Sequence, residues 1–527
     1  MSSSLLFPRP EIVRTIRRLS VVGGLGVLLG SVACSSSAMR ELEPSPPTGT
    51  VRIGVPEGET QSGDVGFQQQ WRFFTQDPFT TRGPDGRPQG RVAESWEVSA
   101  DGLTWEIHLR PNVTFHDGTA LDAEAAKQVL DAVLARASTR ASSPGLAEVR
   151  QVATAGPHTL VISLARPSAF LMDELDIPLT KKDPGGTVIG TGPFKPVTIS
   201  PREVVLQAHE GYHLGSPAVH ELIVKFYPTL RLAWASLLRG EIDAVSNVPA
   251  DALEFVKSDA VDTFSFSRHF AHVIVFNSAR PQLRPAAVRR ALNAAIDRQA
   301  LIQSVLKGRA QLADSPVWPK HWAHDASVRG YSYDASLARA TLDALGVHVQ
   351  RAGGATVPAR FRFTCTVPQG HAVHERLALM IQRQLYDVGV DMQLESRPLS
   401  ELDTMLRVGD FDAAIVDLSS GPTLSRVYQF WRSPGDFRGF NMFGYENAEA
   451  DKWLDRLRHA QDDASTRTAA SQLQRVLMDD PPALFLAWIE GSRAISRRVA
   501  VPTEAGRDPF ADLWRWQIRR DMSPTEQ

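Results

Sequence analysis

The sequence predicts an α/β fold divided into at least two lobes. Strand-like and helix-like segments alternate along nearly the whole chain, the pattern of helices laid against a mixed or parallel sheet. At 527 residues the chain exceeds what one hydrophobic core usually holds. Its 43% hydrophobic and 22% charged residues are those of a globular protein and exclude wholesale disorder.

The elements follow in order. Val51-Arg52-Ile53-Gly54-Val55 reads as a short strand. Residues 103–109 alternate cleanly, and Pro111-Asn112 closes them with a turn. Asp122 is placed to cap a helix whose Ala123, Ala126, Val129, Leu130, Val133 and Leu134 share one face. Strands are expected at 159–164, 204–207 and 222–227, then a helix at 230–238 ended by Arg239-Gly240. Residues 272–276 form a strongly apolar strand, and 361–367 an alternating one that carries Cys365, read as buried and inert. Further helices are expected at 287–295, 300–306, 335–345, 374–388, 399–408, 449–462 and 465–478. There is no internal repeat, low-complexity block or heptad run in this part of the chain.

Charge and cysteine content narrow the function. Lys plus Arg is 57 and Asp plus Glu is 59, a net charge of −2. A nucleic-acid partner, which would ask for a broad positive surface, is not expected. Two cysteines, Cys34 and Cys365, rule out a disulfide framework, an iron–sulfur cluster and an all-cysteine zinc site.

The first residues read as an address. Arg9, Arg14, Arg17 and Arg18 stand against a single Glu11, and the glycine-rich apolar run 19–33 follows. That run is short for a bilayer core of about 30 Å and fits a secretory signal at 1–33. Ser31-Val32-Ala33-Cys34 resembles the bacterial lipobox, with Ser31 where leucine is usual. The resemblance implies that Cys34 is lipidated and anchors the chain outside the cytoplasmic membrane. A plain signal peptide with a chance cysteine is the alternative, and Arg17-Arg18 leaves Sec or twin-arginine export open. Residues 34–49, with Ser35-Ser36-Ser37, Pro44, Pro46 and Pro47, read as a flexible tether.

A series of blocks then points to a family. They are Ala93-Glu94-Ser95-Trp96-Glu97-Val98-Ser99, Asp101-Gly102-Leu103-Thr104-Trp105, Leu109-Arg110-Pro111-Asn112-Val113-Thr114-Phe115-His116-Asp117-Gly118 and Leu121-Asp122-Ala123-Glu124. Gly190-Thr191-Gly192-Pro193-Phe194, Gly211-Tyr212, Gly240-Glu241-Ile242-Asp243, Val288-Arg289-Arg290-Ala291-Leu292, Ala295-Ile296-Asp297-Arg298 and Tyr333-Asp334 continue the series in order. Together they resemble family 5 extracellular solute-binding proteins, the peptide, nickel and related binding components of ABC importers. The resemblance implies a bilobal periplasmic-binding-protein-like fold (type II, large cluster C type) with two hinge crossings. Lobe I would be 50–272 and 486–527, lobe II 278–480, and the crossings 272–277 and 484–488. Closure on a ligand would be a hinge motion. Most signature residues have a structural reading: Asp101-Gly102 and Asp117-Gly118 as turns, Gly190, Gly192 and Pro193 as a backbone bend, Trp96 and Trp105 as core.

The cargo is less legible. Peptide-binding members carry a carboxylate in a lobe II loop that pairs with the peptide amino terminus, because an unpaired charge in a closed cleft is costly. By register that position falls on Gly421, and Asp417 lies four residues earlier. The nickel branch resembles the first helix region, but its pocket residues fall near Leu179, near Ser419 and around 435–437, where there is no histidine, so no metal site is assigned. The ligand-contact candidates are Asp64 and Gln69 after the first strand, Arg140 in lobe I, and Asp417, Ser419, Arg426 and Tyr428 in the lobe II loop. Arg140 and Arg426 suit a carboxylated ligand, and Tyr428 with Trp431 a flat or apolar group.

No phosphate-binding loop, HExxH helix or GxSxG elbow is present. His371 and His374-Glu375 have metal-ligand spacing but no third ligand nearby in sequence, and read as a surface helix start; His321 and His324 read as a chance pair. The expectation is a monomeric, non-catalytic binding lipoprotein without cofactor, its partners a small-molecule or peptide ligand, an ABC transporter permease and, through the anchor, a membrane. A metal-chelate (nickel-type) binding protein is the alternative cargo reading. An exported lipid-anchored hydrolase and a ligand sensor are the readings of other classes.

Overall fold

The computed structural model describes residues 49–56, 71–350, 358–419, 423–435, 439–502, 504 and 506–519. The strands of the two larger sheets are numbered in chain order. The first eight are β1 (Thr50–Pro56), β2 (Ala93–Val98), β3 (Thr104–Leu109), β4 (Val149–Thr154), β5 (Thr159–Leu164), β6 (Phe194–Ile199), β7 (Glu203–Ala208) and β8 (Glu221–Tyr227). Next come β9 (Ala244–Val245), β10 (Val261–Phe276), β11 (Ala310–Leu312), β12 (Phe361–Pro368), β13 (Val390–Arg397), β14 (Ala413–Leu418) and β15 (Ala483–Ser496). The helices are α1 (Ala123–Leu134), α2 (Ala137–Ser142), α3 (Leu171–Glu174), α4 (Leu230–Leu238), α5 (Ala286–Ala294), α6 (Arg298–Ser304), α7 (Ala335–Ala344) and α8 (Ala372–Asp387). The last four are α9 (Leu399–Val408), α10 (Leu424–Trp431), α11 (Ala448–Arg458) and α12 (Asp463–Asp479).

An eleven-stranded mixed sheet carries the architecture, in the order β6-β7-β8-β1-β9-β15-β10-β14-β12-β13, with β11 against β15. β1 runs parallel to β8 and β9, and β12 parallel to β13 and β14. Between these groups lie two long antiparallel strands, β10 and β15. The first part of β10, Val261 to Ser267, pairs with the second half of β15. The register then shifts, and Ala271 to Phe276 pair with β14 on one side and the first half of β15 on the other. The strand read from sequence at 272–276 is thus only the apolar end of β10. Its earlier part mostly alternates exposed with half-buried residues and lacks an apolar run.

A separate four-stranded sheet, β2-β3-β5-β4, is covered by α1. The Asp122 side chain accepts the Ala125 N–H, capping α1, and Ala123, Ala126, Leu130 and Leu134 are buried on the face anticipated from sequence. Gly190 and Gly192 lie against the backbone at Thr75. A Cβ on Gly190 would stand 2.0 Å from the Thr75 carbonyl oxygen, which leaves glycine as the residue that fits.

The two faces of the sheet around β10 and β14 are filled separately, as the period of two requires. Val273, Val275 and Ala414 pack with Trp431, Tyr445 and Phe485. Ile274, Phe276, Ala413 and Ile415 pack under α8 with Leu377, Ile381 and the fully buried Cys365. Residues 449–462, expected as one helix, end as α11 at Arg458; Asp462 caps α12 instead through a reciprocal bond with Ser465. Among the described residues no helix is long and apolar enough to cross a membrane.

Candidate functional site

Segment 423–431 departs most from expectation. Leu424–Trp431 is helix α10, started by Thr423, whose hydroxyl accepts the Arg426 N–H at 3.3 Å. Arg426 and Tyr428 therefore lie on a helix and not in a loop. Tyr428 is 2% exposed. Its hydroxyl donates to Asp455 at 3.0 Å and accepts from Arg458 at 3.3 Å, and its ring meets Phe170 edge-on at 5.9 Å. The suggested stacking role for Tyr428 is corrected to a packing role, and Trp431, fully buried among Phe443, Tyr445 and Phe485, is corrected with it. Arg426 is half-buried and contacts Gln429 Oε1 at 3.4 Å. Burial works against its charge, and Asp176 and Glu174 support it against Arg82.

This helix faces a buried acidic pair from the 148–174 segment. Glu148 accepts from Arg166 at 2.7 Å and from Arg458 at 2.6 Å. Glu174 accepts the backbone N–H groups of Gly145 and Leu146 at 2.8 and 2.9 Å, and Gln429 Nε2 at 3.4 Å. Burial pushes the Glu174 carboxyl up to about 8 and that of Asp173 up to about 7. A polar seam thus joins residues expected in different lobes.

Asp417, one residue before the end of β14, lies directly opposite His272 of β10. His272 Nδ1 lies 2.6 Å from Asp417 Oδ1, and His374 Nε2 reaches the same oxygen at 2.8 Å. His374 sits in the first turn of α8 and is 4% exposed, so its reading as part of a surface helix start is corrected; His272 is 6% exposed. The two rings meet edge-on at 5.3 Å, and the His371 ring stacks on His374 at 5.3 Å. Burial would raise the Asp417 carboxyl, but the two imidazoles hold it well below the usual carboxylate range. Two of the three members were singled out from sequence, Asp417 as a ligand contact and His374 as a possible metal ligand. His272 was not, and its one signal was an imidazole in an otherwise apolar strand.

Ser419 follows β14 and is half-buried. Arg140 is in α2, and its side chain lies outside the described residues, as do Asp64, Gln69 and Cys34.

A bilobal α/β binding-protein fold of the periplasmic type is what this sheet builds, and solved structures agree. NikA from Brucella suis, determined with Fe(III)-EDTA, superposes with a TM-score of 0.78 at 21% identity, covering 89% of this chain and all of that one. AppA from Bacillus subtilis, determined with a nonapeptide, superposes at 0.73 and 21% identity, covering 90% and 99%. In sequence the oligopeptide-binding protein AppA of Bacillus subtilis is 25% identical over 75% of this chain and 77% of its own. The probable D,D-dipeptide-binding periplasmic protein DdpA of Escherichia coli is 25% identical over 78% and 81%. The chain belongs to the bacterial extracellular solute-binding proteins, family 5, whose middle-region model matches residues 87–437.

Proposed function

We propose that this chain is an extracytoplasmic lipoprotein that captures a small solute, an oligopeptide or other small organic molecule, and delivers it unaltered to an ABC transporter permease. The observation that carries the reading is the pair of long strands β10 and β15. They are the paired elements between the parallel group β8-β1-β9 and the parallel group β14-β12-β13, which suits them to carry a hinge. On this reading lobe I comprises 50–272 and 486–527, lobe II comprises 278–480, and ligand closes between them. Peptide is placed first because AppA and DdpA, named for peptide ligands, align over three quarters or more of their length. A metal chelate is the second cargo, raised by the likeness to NikA with Fe(III)-EDTA. Asp417, Ser419 and Arg426 are the described candidates for ligand contact, with Asp64, Gln69 and Arg140 proposed beside them.

Mass spectrometry of what co-purifies with the native protein tests the reading. A bound peptide or small organic molecule, recovered chemically intact and raising the melting temperature when added back, is the expected result. Release of an altered molecule with turnover would replace it with an exported hydrolase. Recovery of a chelated metal would move the cargo to the second class.

A further inference from the structure

We propose that His272, His374 and Asp417 form a binding site for one divalent ion of the zinc class, held by protein side chains alone. The donor atoms, His272 Nδ1, His374 Nε2 and Asp417 Oδ1, all lie within 4.8 Å of one another. Two imidazoles and one carboxylate are a zinc ligand set that leaves a fourth position for water or another donor. A tetrahedral ion with bonds of about 2.1 Å needs donors about 3.4 Å apart. The contacts to Asp417 Oδ1, 2.6 and 2.8 Å, need to open by less than about 1 Å to reach that spacing.

The donors come from three elements. β10 and β14 are fixed by register, with His272 opposite Asp417, and α8 brings His374 over both. Both imidazoles are buried in place, so little side-chain freedom remains to be lost on binding. Asp417 keeps 37% of its side-chain surface exposed, which gives an ion a way in.

The cluster also holds more imidazole than its hydrogen bonds use. One ring would satisfy the bridging oxygen of Asp417, yet two converge on it and a third stacks behind. His374 Nδ1 and His371 Nε2 are buried without a hydrogen-bond partner among the described residues. Nitrogen-rich donors select zinc, nickel, copper or cobalt over the oxygen-seeking calcium and magnesium. The placement gives the ion a mechanical role: it would tie β10, between its two register shifts against β15, to α8 and β14.

The test uses the mature chain without an added histidine tag and the bare ion without a chelator, so the identity of the cargo does not enter. After incubation with Zn2+ and gel filtration into metal-free buffer, elemental analysis should find one zinc per chain. Co2+ should produce the visible absorption of a low-symmetry imidazole-ligated ion at one equivalent. His272→Gln, His374→Gln and Asp417→Asn should each weaken binding on the order of 100-fold, at or beyond what second-shell losses cost at known sites, while keeping a cooperative melt. Absence of retained zinc and of the cobalt band in the unmutated chain would overturn the proposal without any variant. Unchanged retention by a folded H272Q/H374Q double variant would overturn it as well.

Discussion

Glu174 shows what a single buried carboxyl does to the chain. Its protonated form is favoured by burial, which raises it from an ordinary value of 4.5 to about 8. The folded state therefore binds a proton that the unfolded chain has released between those values. That contribution to stability is complete below about pH 4.5 and is lost as pH rises toward 8. Glu174→Gln keeps an acceptor for Gly145 and Leu146, so the fall in melting temperature across this window should become shallower. Part of the slope should persist, because Asp173, raised to about 7, has the same sign. An unchanged slope would remove Glu174 from the account. Arg426 is the residue-scale test of the cargo reading. If its guanidinium pairs with a ligand carboxylate, Arg426→Ala should weaken binding by more than about tenfold, since a hydrogen bond to a charged group contributes roughly 1.5–3 kcal/mol. Equal affinity in calorimetry would exclude it.

At the scale of elements, α10 matters most because it holds Arg426 at one edge while burying Tyr428 and Trp431. Its start depends on the Thr423 hydroxyl accepting the Arg426 N–H. Removing an N-cap hydroxyl costs about 1 kcal/mol. Thr423→Ala should lower the denaturant midpoint by the equivalent amount without altering the slope of the transition, and no shift would mean that packing alone holds the helix. The helix escaped sequence reasoning for a physical reason. Leu424, Ser425, Val427, Tyr428, Gln429, Phe430 and Trp431 are all buried. Leu424, Val427, Tyr428 and Trp431 do recur at helical spacing, but eight residues make little more than two turns, too short a stretch for the period to stand out from a loop. α1 and α4, by contrast, have capped starts and one apolar face each, and their extents were legible.

At the scale of the molecule, the proposed hinge predicts a change of shape. Small-angle scattering should show a smaller radius of gyration when saturating ligand is added, and an unaltered radius at saturation would argue against closure. The proposed anchor predicts a change of place. Cys34→Ala should move the protein from the membrane fraction to the soluble one, and full retention would leave lipidation without support.

The sequence by itself determined the α/β class, the ordered blocks of the solute-binding family, the capped start at Asp122, the helix at 230–238 and the burial of Cys365. These are local properties: a cap, a turn or a hydrophobic period needs only its near neighbours. What the tertiary structure alone decided is the company each side chain keeps. His272 lies 145 residues from Asp417, and His374 lies 43 residues from it. Only the register of β10 against β14, and the lie of α8 across them, brings the three to one oxygen. The same is true of Tyr428, whose aromatic ring suggested a platform until the fold set Phe170 against it. Strand register is fixed by burial of whole faces, so a contact of this kind follows from the packed sheet and from no single stretch of chain.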